Sequence, residues 1–145
     1  MEDAIRTLGL GSLADKDISL ISDGEFQKAC IATALTRKAN VILLDEPTAF
    51  LDVDNRIMVL RTLQELAHGT GATVIFSTHD PNQAFRYATQ VLALQGGGVL
   101  AAGRPEEALT SETLTKLYGV GMAVCPVTAA GKSFSVAVVT GGKTQ

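Results

Sequence analysis

Two short apolar runs, each followed at once by polar residues, dominate the hydrophobic pattern of this chain. Residues Val41–Leu44 are all apolar and lead directly into the carboxylates of Asp45 and Glu46. Residues 72–76 form a second run, which ends in Ser77-Thr78-His79-Asp80. Such runs, bounded by turn residues, are typical of fully buried strands in parallel sheets. The pattern predicts buried strands over 41–45 and 73–77, with polar residues at their carboxyl ends.

Helix signals lie before and between these strands. Ser22 and Glu25 have the spacing of a capping box, which predicts a helix over residues 22–38. A second helix is predicted over residues 53–68, with Asp52 as its cap and Gly69 as its terminator. Its apolar positions share one face: Ile57, Leu60, Leu63 and Ala67. A short helical segment is also predicted within residues 1–13.

The rest of the chain predicts smaller elements. Asp80, Pro81 and Gln83 are cap, first-turn proline and capping-box partner for a helix over 81–88. A hairpin follows over 91–102, and then come two short helices, one from Pro105 and one over 111–118 that stops at Gly119. Two strands, 122–127 and 133–139, close the chain. Alternating Phe134, Val136 and Val138 predict that the last strand is half-buried.

The order strand, helix, strand predicts parallel pairing. We therefore expect an α/β fold, with a mostly parallel sheet flanked by helices, and 145 residues suffice for one domain. The net charge of −3 gives no excess of basic residues that would bind a phosphate backbone, so no nucleic-acid partner is expected. No apolar run reaches the ~20 residues that span a bilayer, and no signal peptide is recognised. Any membrane association is expected to go through a protein partner.

The two cysteines, Cys30 and Cys125, lack the spacing of a metal or redox site. We expect buried free thiols in a reducing compartment.

Asp45 and Glu46 are the leading candidates for chemistry. Open α/β sheets bind ligands at the carboxyl ends of their strands. A hard cation such as Mg²⁺ prefers carboxylate oxygens, waters and phosphates, so Asp45 is assigned to the metal. Glu46 is assigned as the general base that polarises an attacking water. The alternative is a pair of solvated carboxylates at a strand end.

Two further features support phosphate chemistry. The helix that begins after Ser22 offers free amides and a positive dipole end, Gly24 permits close backbone approach, and the Ser22 hydroxyl can donate to a phosphate. A simple capping box is the alternative. His79 follows the second strand, where it could hydrogen-bond a γ-phosphate and help Glu46 to orient water. A structural histidine is the alternative there.

Four segments together resemble the motifs of ABC ATPases, in the family's order and spacing. Ile21-Ser22-Asp23-Gly24-Glu25 resembles the signature motif, and residues 41–47 resemble the Walker B strand with its catalytic glutamate. Residues 49–52 resemble the D-loop, and residues 77–80 resemble the switch-histidine region. Residues 100–118 are similar to importer ATPases that serve iron–siderophore, haem and cobalamin permeases.

The resemblance implies ATP and Mg²⁺ as cofactors and a head-to-tail dimer with a second ATPase subunit. Ser22, Gly24 and Glu25 would then serve the partner's nucleotide. Asp45, Glu46 and His79 would serve the chain's own, and Asp52 would communicate across the dimer. An integral-membrane permease is the implied second partner, with the protein cytoplasmic and peripheral on the inner face of the membrane.

The chain also departs from the family pattern. Asp23 replaces a glycine that is usual in the signature, and Phe50 is bulkier than the usual D-loop residue. No Walker A loop is present, because Gly131-Lys132-Ser133 and Gly141-Gly142-Lys143-Thr144 lack its first glycine and its following helix. The glutamine loop is missing too.

The chain therefore resembles the carboxyl-terminal part of a P-loop NTPase domain of the ABC type, without the P-loop strand. Its segments would be 1–38 (end of the helical subdomain and signature helix), 39–94 (Walker B to switch-histidine core) and 95–145 (carboxyl-terminal hairpins and short helices). We expect exposed strand edges and no useful ATP hydrolysis by this chain alone. The alternative function is a non-catalytic module that binds a permease or an intact ATPase subunit. A soluble ABC ATPase of repair or translation is disfavoured, because basic patches and coiled-coil insertions are missing.

Overall fold

The computed structural model describes residues 6, 8–13, 15–36 and 39–143. The chain divides into two compact units, Met1–His79 and Asp80–Gln145. The three segments predicted from the sequence were divided by motif, whereas these two units are divided by compactness. The three-segment division therefore stays a prediction.

In the described part of the first unit lie the helices α1 (Asp23–Thr36) and α2 (Val53–Thr70) and the strands β1 (Val41–Leu44) and β2 (Thr73–Phe76). Short 3₁₀ turns cover Gly11–Leu13 and Ile18–Leu20. Residues 1–5 and 7 of the helical segment predicted within residues 1–13 lie outside the described residues, as does the predicted end of α1 at residue 38.

The two strands pair in parallel, from Val41 opposite Thr73 to Leu44 opposite Phe76. This confirms the predicted strand–helix–strand unit. Leu44 and Val74 pack against a buried cluster that combines residues of α1, α2 and the preceding segment; it comprises Leu8, Leu10, Ile31, Ala32, Leu51, Val59 and Leu63. The helices therefore cover one face of the strand pair.

The prediction of fully buried strands was wrong. Val41, Leu43 and Ile75 are 54%, 72% and 53% exposed, whereas Ile42 between them is buried. Side chains alternate between the two faces of a strand, and only one face of this pair is packed among the residues that the structure describes. The second, apolar face of the strand pair is therefore open among the described residues, and the expected exposure of the strand edges stays a prediction.

The ends of α2 match local capping rules, with one correction. The Asp52 carboxylate accepts a hydrogen bond from the Asn55 amide, as predicted for a cap. The predicted terminator Gly69 lies inside the helix. Gly71 ends it instead, in the left-handed conformation with φ 71°, and its N–H donates to the Ala67 carbonyl.

The second unit contains three helices and two antiparallel hairpins. The helices are α3 (Pro81–Tyr87), α4 (Pro105–Ala108) and α5 (Ser111–Tyr118), the last of which ends at Gly119 as predicted. One hairpin pairs β3 (Val91–Gln95) with β4 (Gly98–Gly103), and the other pairs β5 (Val120–Ala129) with β6 (Lys132–Lys143). Parallel pairing is therefore confined, in the described part of the chain, to β1 and β2.

The burial predicted for β6 was wrong. Phe134 and Val138 are each 40% exposed, whereas Ala137 is only 6% exposed. Ala137 packs in a buried cluster with Ala84, Ala93, Leu109 and Leu114. The Asn82 side chain donates to the Ala137 carbonyl and accepts from the Ala137 N–H, which binds that stretch of strand to α3. Gly131 forms the hairpin turn with φ 74°, so the Gly131-Lys132-Ser133 fragment is not a P-loop.

Both cysteines are free and exposed. The prediction of free thiols is confirmed and that of buried thiols was wrong. No helix in the described part of the chain has both the length and the apolar character needed to cross a membrane.

Candidate nucleotide site

The carboxyl ends of β1 and β2 lie side by side because the two strands are parallel and in register. The Ser77 N–H donates to the Leu44 carbonyl over 3.0 Å, which extends the ladder one residue beyond β2. Asp45 and Glu46 follow β1 at the point where Ser77 and His79 follow β2. Residues more than 30 positions apart therefore meet at one edge, as the sequence predicted.

The Ser77 hydroxyl joins the two acids. It donates to Asp45 Oδ1 over 2.6 Å and accepts from the Glu46 N–H over 2.8 Å. A hydroxyl bound this closely to a carboxylate forms a charge-assisted bond, one of the stronger kinds. Ser77 therefore holds one oxygen of Asp45 and the backbone of Glu46 in fixed positions. Sequence analysis placed Ser77 in a motif but did not assign it to the site.

Glu46 and His79 form a direct pair. His79 Nε2 lies 2.7 Å from Glu46 Oε1, and the two side chains are 84% and 45% exposed respectively. Water therefore reaches both groups. A carboxylate and an imidazole in contact at a solvent-accessible edge can share the task of orienting and deprotonating a water molecule.

The backbone of Glu46 is in a conformation that few residues other than glycine adopt, with φ 42°. Such a conformation persists only when its surroundings fix it. Here its N–H is held by Ser77, and its carbonyl accepts from the Ala49 N–H over 3.0 Å and from Gln27 Nε2 over 3.4 Å. Gln27 belongs to the signature helix α1, so that helix contacts the end of the Walker B-like strand.

A second group of candidate residues surrounds a groove of about 420 Å³ between the start of α1 and the start of α2. Nine residues line it: Ser22, Asp23, Gly24, Glu25, Lys28, Phe50, Leu51, Asp52 and Asn55. The signature-like and D-loop-like segments, more than 20 residues apart in sequence, therefore form one surface.

The predicted capping box at the start of α1 is confirmed. The Glu25 carboxylate accepts from the Ser22 N–H over 2.8 Å and from the Ser22 hydroxyl over 2.9 Å. The Glu25 N–H donates back to Ser22 Oγ over 3.3 Å. The bonds from Ser22 hold the pKa of Glu25 below its ordinary value, and the bond from the Ser22 backbone N–H has the largest effect. The nearby charges of Lys16 and Lys28 have a smaller effect in the same direction.

Gly24 is packed tightly against the D-loop-like segment. A Cβ at this position would lie 3.2 Å from both the Phe50 carbonyl oxygen and Leu51 Cδ2. Phe50 itself has φ 61° and is 82% exposed at the rim of the groove. The absence of a side chain at Gly24 therefore permits the close approach of the two segments.

Asp52 has a local structural task in this groove. Its carboxylate accepts from the Asn55 N–H over 2.8 Å and from Asn55 Nδ2 over 3.0 Å. Lys28 Nζ donates to Asn55 Oδ1 over 3.1 Å, so Asn55 links α1 to the cap of α2. Sequence analysis identified Asp52 but missed Lys28 and Asn55, whose contacts exist only in the folded chain.

The acidic edge suits a magnesium ion that arrives with a nucleotide. Asp45 presents a carboxylate, a hard oxygen ligand, and the Ser77 hydroxyl holds its Oδ1 in place. Among the described residues, no group of three or more His, Cys, Asp or Glu side chains could hold a metal ion by itself. Mg²⁺ in phosphate-transfer sites uses one or two carboxylates plus phosphates and waters, so one carboxylate fits such an ion.

The predicted residues thus form two groups within the first unit. Asp45, Glu46 and His79 lie together at the strand ends, and the other four lie together around the groove: Ser22, Gly24, Glu25 and Asp52. Their catalytic and binding roles stay predictions.

Comparison with known proteins supports the resemblance seen in the motifs. Residues 1–49 match the family model described as ABC transporter. The chain is 39% identical over 117 residues to the ferric enterobactin transport ATP-binding protein FepC of Escherichia coli. The aligned region covers 81% of this chain and 43% of that protein. The chain is 38% identical over 116 residues to the hemin import ATP-binding protein HmuV of Shewanella denitrificans, covering 77% and 46%.

A solved structure of a metal-chelate type ABC transporter in an inward-facing conformation matches the fold. The TM-score is 0.86 at 35% sequence identity, and the match covers 95% of this chain and 55% of that one. The chain therefore spans about half the length of the relatives that it matches. By motif, sequence and fold, this chain is related to the ATP-binding proteins of ABC transporters.

Proposed function

We propose that this chain supplies the Walker B acids, the switch histidine and the signature helix of an ABC-type ATPase. The observation that carries the proposal is the junction of Asp45, Glu46, Ser77 and His79 at one edge of a parallel strand pair. Polar groups at this place in an α/β sheet face bound ligands. Their chemistry fits the hydrolysis of a magnesium-bound triphosphate.

At this edge each residue has a distinct task. Asp45 would hold Mg²⁺ directly or through its waters, with its carboxylate oriented by Ser77. When bound, the ion would offset the charge of the phosphates. Glu46 accepts a proton from the attacking water at its exposed carboxylate, and His79 Nε2 orients that carboxylate from 2.7 Å away.

The groove between the starts of α1 and α2 serves a second subunit. Ser22, Gly24, Glu25 and Asp52 would lie next to the nucleotide held by a second ATPase subunit, in a head-to-tail dimer. The groove offers the amides at the start of α1, whose dipole favours an anion.

A Walker A loop must come from polypeptide outside these 145 residues. The open apolar face of β1 and β2, formed by Val41, Leu43 and Ile75, supports this requirement. Parallel sheets are normally covered on both faces, whereas helices cover only one face of this strand pair among the described residues. The half-domain that bears the Walker A loop is the natural cover.

The relatives suggest the wider role. Their names specify enterobactin, hemin and, in Halobacterium salinarum, cobalamin import. We propose that this chain takes part in the import of an iron–siderophore, haem or cobalamin-type substrate, bound through a permease at the cytoplasmic face of the membrane. ATP binding and hydrolysis would drive the permease.

The test is reconstitution. The 145-residue chain alone should show no ATP turnover above background. Co-production with the Walker A-bearing half of a relative should give Mg²⁺-dependent hydrolysis, which Glu46→Gln should abolish. Glu65→Gln, which removes an exposed glutamate of α2, is the matched control and should leave turnover unchanged. Turnover by the chain alone, or unchanged turnover with Glu46→Gln, would contradict the proposal.

The open face also favours a second candidate, a non-catalytic module. In that case the chain would bind the Walker A half, or an intact ATPase subunit, stably but without hydrolysis. Binding without any turnover in the reconstitution would select this function.

A further inference from the structure

Glu46 has a backbone conformation that its immediate neighbours in sequence do not favour. Its φ is 42°, and it directly precedes Pro47. A residue before proline normally takes an extended conformation, and a positive φ is unfavourable for a residue with a Cβ atom. Contacts with other parts of the chain must therefore hold Glu46 in this conformation.

Two contacts from other elements hold the backbone of Glu46, one on each side of its Cα atom. On the amide side, the Ser77 hydroxyl accepts from the Glu46 N–H over 2.8 Å. On the carbonyl side, Gln27 Nε2 of α1 donates to the Glu46 oxygen over 3.4 Å. The Ala49 N–H donates to the same oxygen over 3.0 Å, but it belongs to the turn that Glu46 itself begins. A carbonyl oxygen can accept two hydrogen bonds, so Gln27 and Ala49 do not compete.

The packing of α1 fixes the position of Gln27. Ile31, one turn further along α1, is 1% exposed and belongs to a buried cluster with Leu51. Residues four apart lie on the same face of a helix, so Gln27 lies on the face that contacts the segment between β1 and α2. The next residue of α1, Lys28, donates to Asn55 in the first turn of α2. Two consecutive residues of α1 therefore hold the two ends of this segment.

We propose that Gln27 is a positioning residue for Glu46. It holds the Glu46 carbonyl, so that the Glu46 side chain stays against His79 Nε2, 2.7 Å away. Gln27 acts only through the backbone of Glu46. The inference rests on the proposed function, in which Glu46 accepts a proton from the attacking water. It adds that the signature-like helix, as well as the strand ends, determines where this base lies.

The variant Gln27→Met tests this role, because methionine keeps the length of the side chain and removes the donor. Methionine and glutamine have similar helix propensities, so α1 itself should be retained. The same exchange at Gln64, a half-buried residue of α2, is the matched control. Hydrogen exchange of the ¹⁵N-labelled 145-residue chain measures how readily the backbone opens at each amide.

We expect Gln27→Met to lower the exchange protection of the Glu46 and Ala49 amides about two- to tenfold, which corresponds to the loss of one ordinary hydrogen bond. The amide of Leu63, which lies in α2 and in the buried cluster, should keep its protection. Gln64→Met should leave Glu46 and Ala49 as protected as in the native chain. Equal losses at Glu46 and Leu63 would assign Gln27 to general stability and overturn the proposal, as would unchanged protection of Glu46.

The reconstituted ATPase gives a second readout. There Gln27→Met should lower kcat about two- to tenfold and leave the KM for ATP unaltered, because Gln27 acts on the position of the base and not on the nucleotide. An unaltered kcat would overturn the positioning role. The exchange measurement involves no hydrolysis, so it decides whether Gln27 holds Glu46 independently of the outcome of the reconstitution.

Discussion

The Ser77 hydroxyl donates a 2.6 Å hydrogen bond to the Asp45 carboxylate, although 32 positions separate the two residues in sequence. The same oxygen accepts from the Glu46 N–H. A residue of one strand end therefore fixes both acids of the neighbouring strand end. Because Glu46 has an unfavourable positive φ, this restraint matters for its geometry.

Removal of this hydroxyl should destabilise the chain. We expect Ser77→Ala to lower the free energy of unfolding by about 1–2 kcal/mol, because a bond to a carboxylate and a bond to a backbone N–H are lost. Urea denaturation at neutral pH measures this. Ser77→Thr retains a hydroxyl and should recover part of the loss. Thr73→Ala, at an exposed position of the same strand, is the control. If Ser77→Ala were as stable as that control, the two hydrogen bonds of the Ser77 hydroxyl would contribute nothing to stability.

Glu46→Gln separates binding from chemistry in the reconstituted ATPase. The amide keeps the size of the side chain but cannot accept a proton, so kcat should fall by about 10²–10⁴. The affinity for ATP should change little, because the role proposed for Glu46 is to act on water and not on the ground-state nucleotide. Asp45→Asn should differ by raising the Mg²⁺ concentration needed for half-maximal turnover. Steady-state kinetics over a range of Mg²⁺ and ATP concentrations distinguishes the two. If Glu46→Gln raised KM and left kcat unaltered, its assignment as the base would be wrong.

Local chemistry explains what the sequence predicted well. The Ser22–Glu25 capping box, the Asp52 cap and the Gly119 terminator depend on residues within one or two turns of each other. The strand ends also follow from the sequence, because Asp45 and Ser77 come directly after apolar runs. Once parallel pairing is inferred, the meeting of Glu46 with His79 follows as well.

Burial was harder to predict, because it depends on what packs above a strand as well as on the strand itself. The apolar run of β1 indicated burial of both faces, yet Leu43 is 72% exposed. Likewise Gly69 and Gly71 are both possible terminators by composition. Only the folded backbone shows that Gly71 takes the left-handed conformation. The hydrogen bonds of the Ser77 hydroxyl to Asp45 and Glu46 could not be predicted either, because these partners follow a different strand.

Two glycines in the first unit should respond oppositely to alanine. At Gly24 the new Cβ would lie 3.2 Å from a backbone carbonyl oxygen, which cannot move without shifting the D-loop-like segment. We expect Gly24→Ala to destabilise the chain by about 1 kcal/mol through overpacking. At Gly69, inside α2, a Cβ meets nothing within 4 Å. There Gly69→Ala should stabilise by about 0.5–1 kcal/mol, because alanine restricts the unfolded chain and favours helix.

Thermal and urea unfolding of the two alanine variants measure these effects, and the amide signals of Phe50 and Asp52 report any shift of the loop. Equal stabilities would mean that the D-loop-like segment adapts freely to a side chain at position 24.

The capping box predicts a pH dependence with a defined sign. The bonds from Ser22 hold the pKa of Glu25 below its ordinary value of 4.5, so the folded state favours the carboxylate. The stabilisation is therefore fully present above pH 4.5 and is lost as the pH falls through the lowered pKa of the folded state.

The measurement is the urea midpoint of the native chain and of Glu25→Gln from neutral to acidic pH. At neutral pH the variant should be the less stable, and the difference should close on acidification as Glu25 becomes protonated in the native chain. Asp17, whose pKa is also lowered, by its bonds from Ser19, is present in both proteins and cancels in the comparison. A difference that stayed constant down to strongly acidic pH would show that the Ser22–Glu25 bonds contribute nothing as charged bonds.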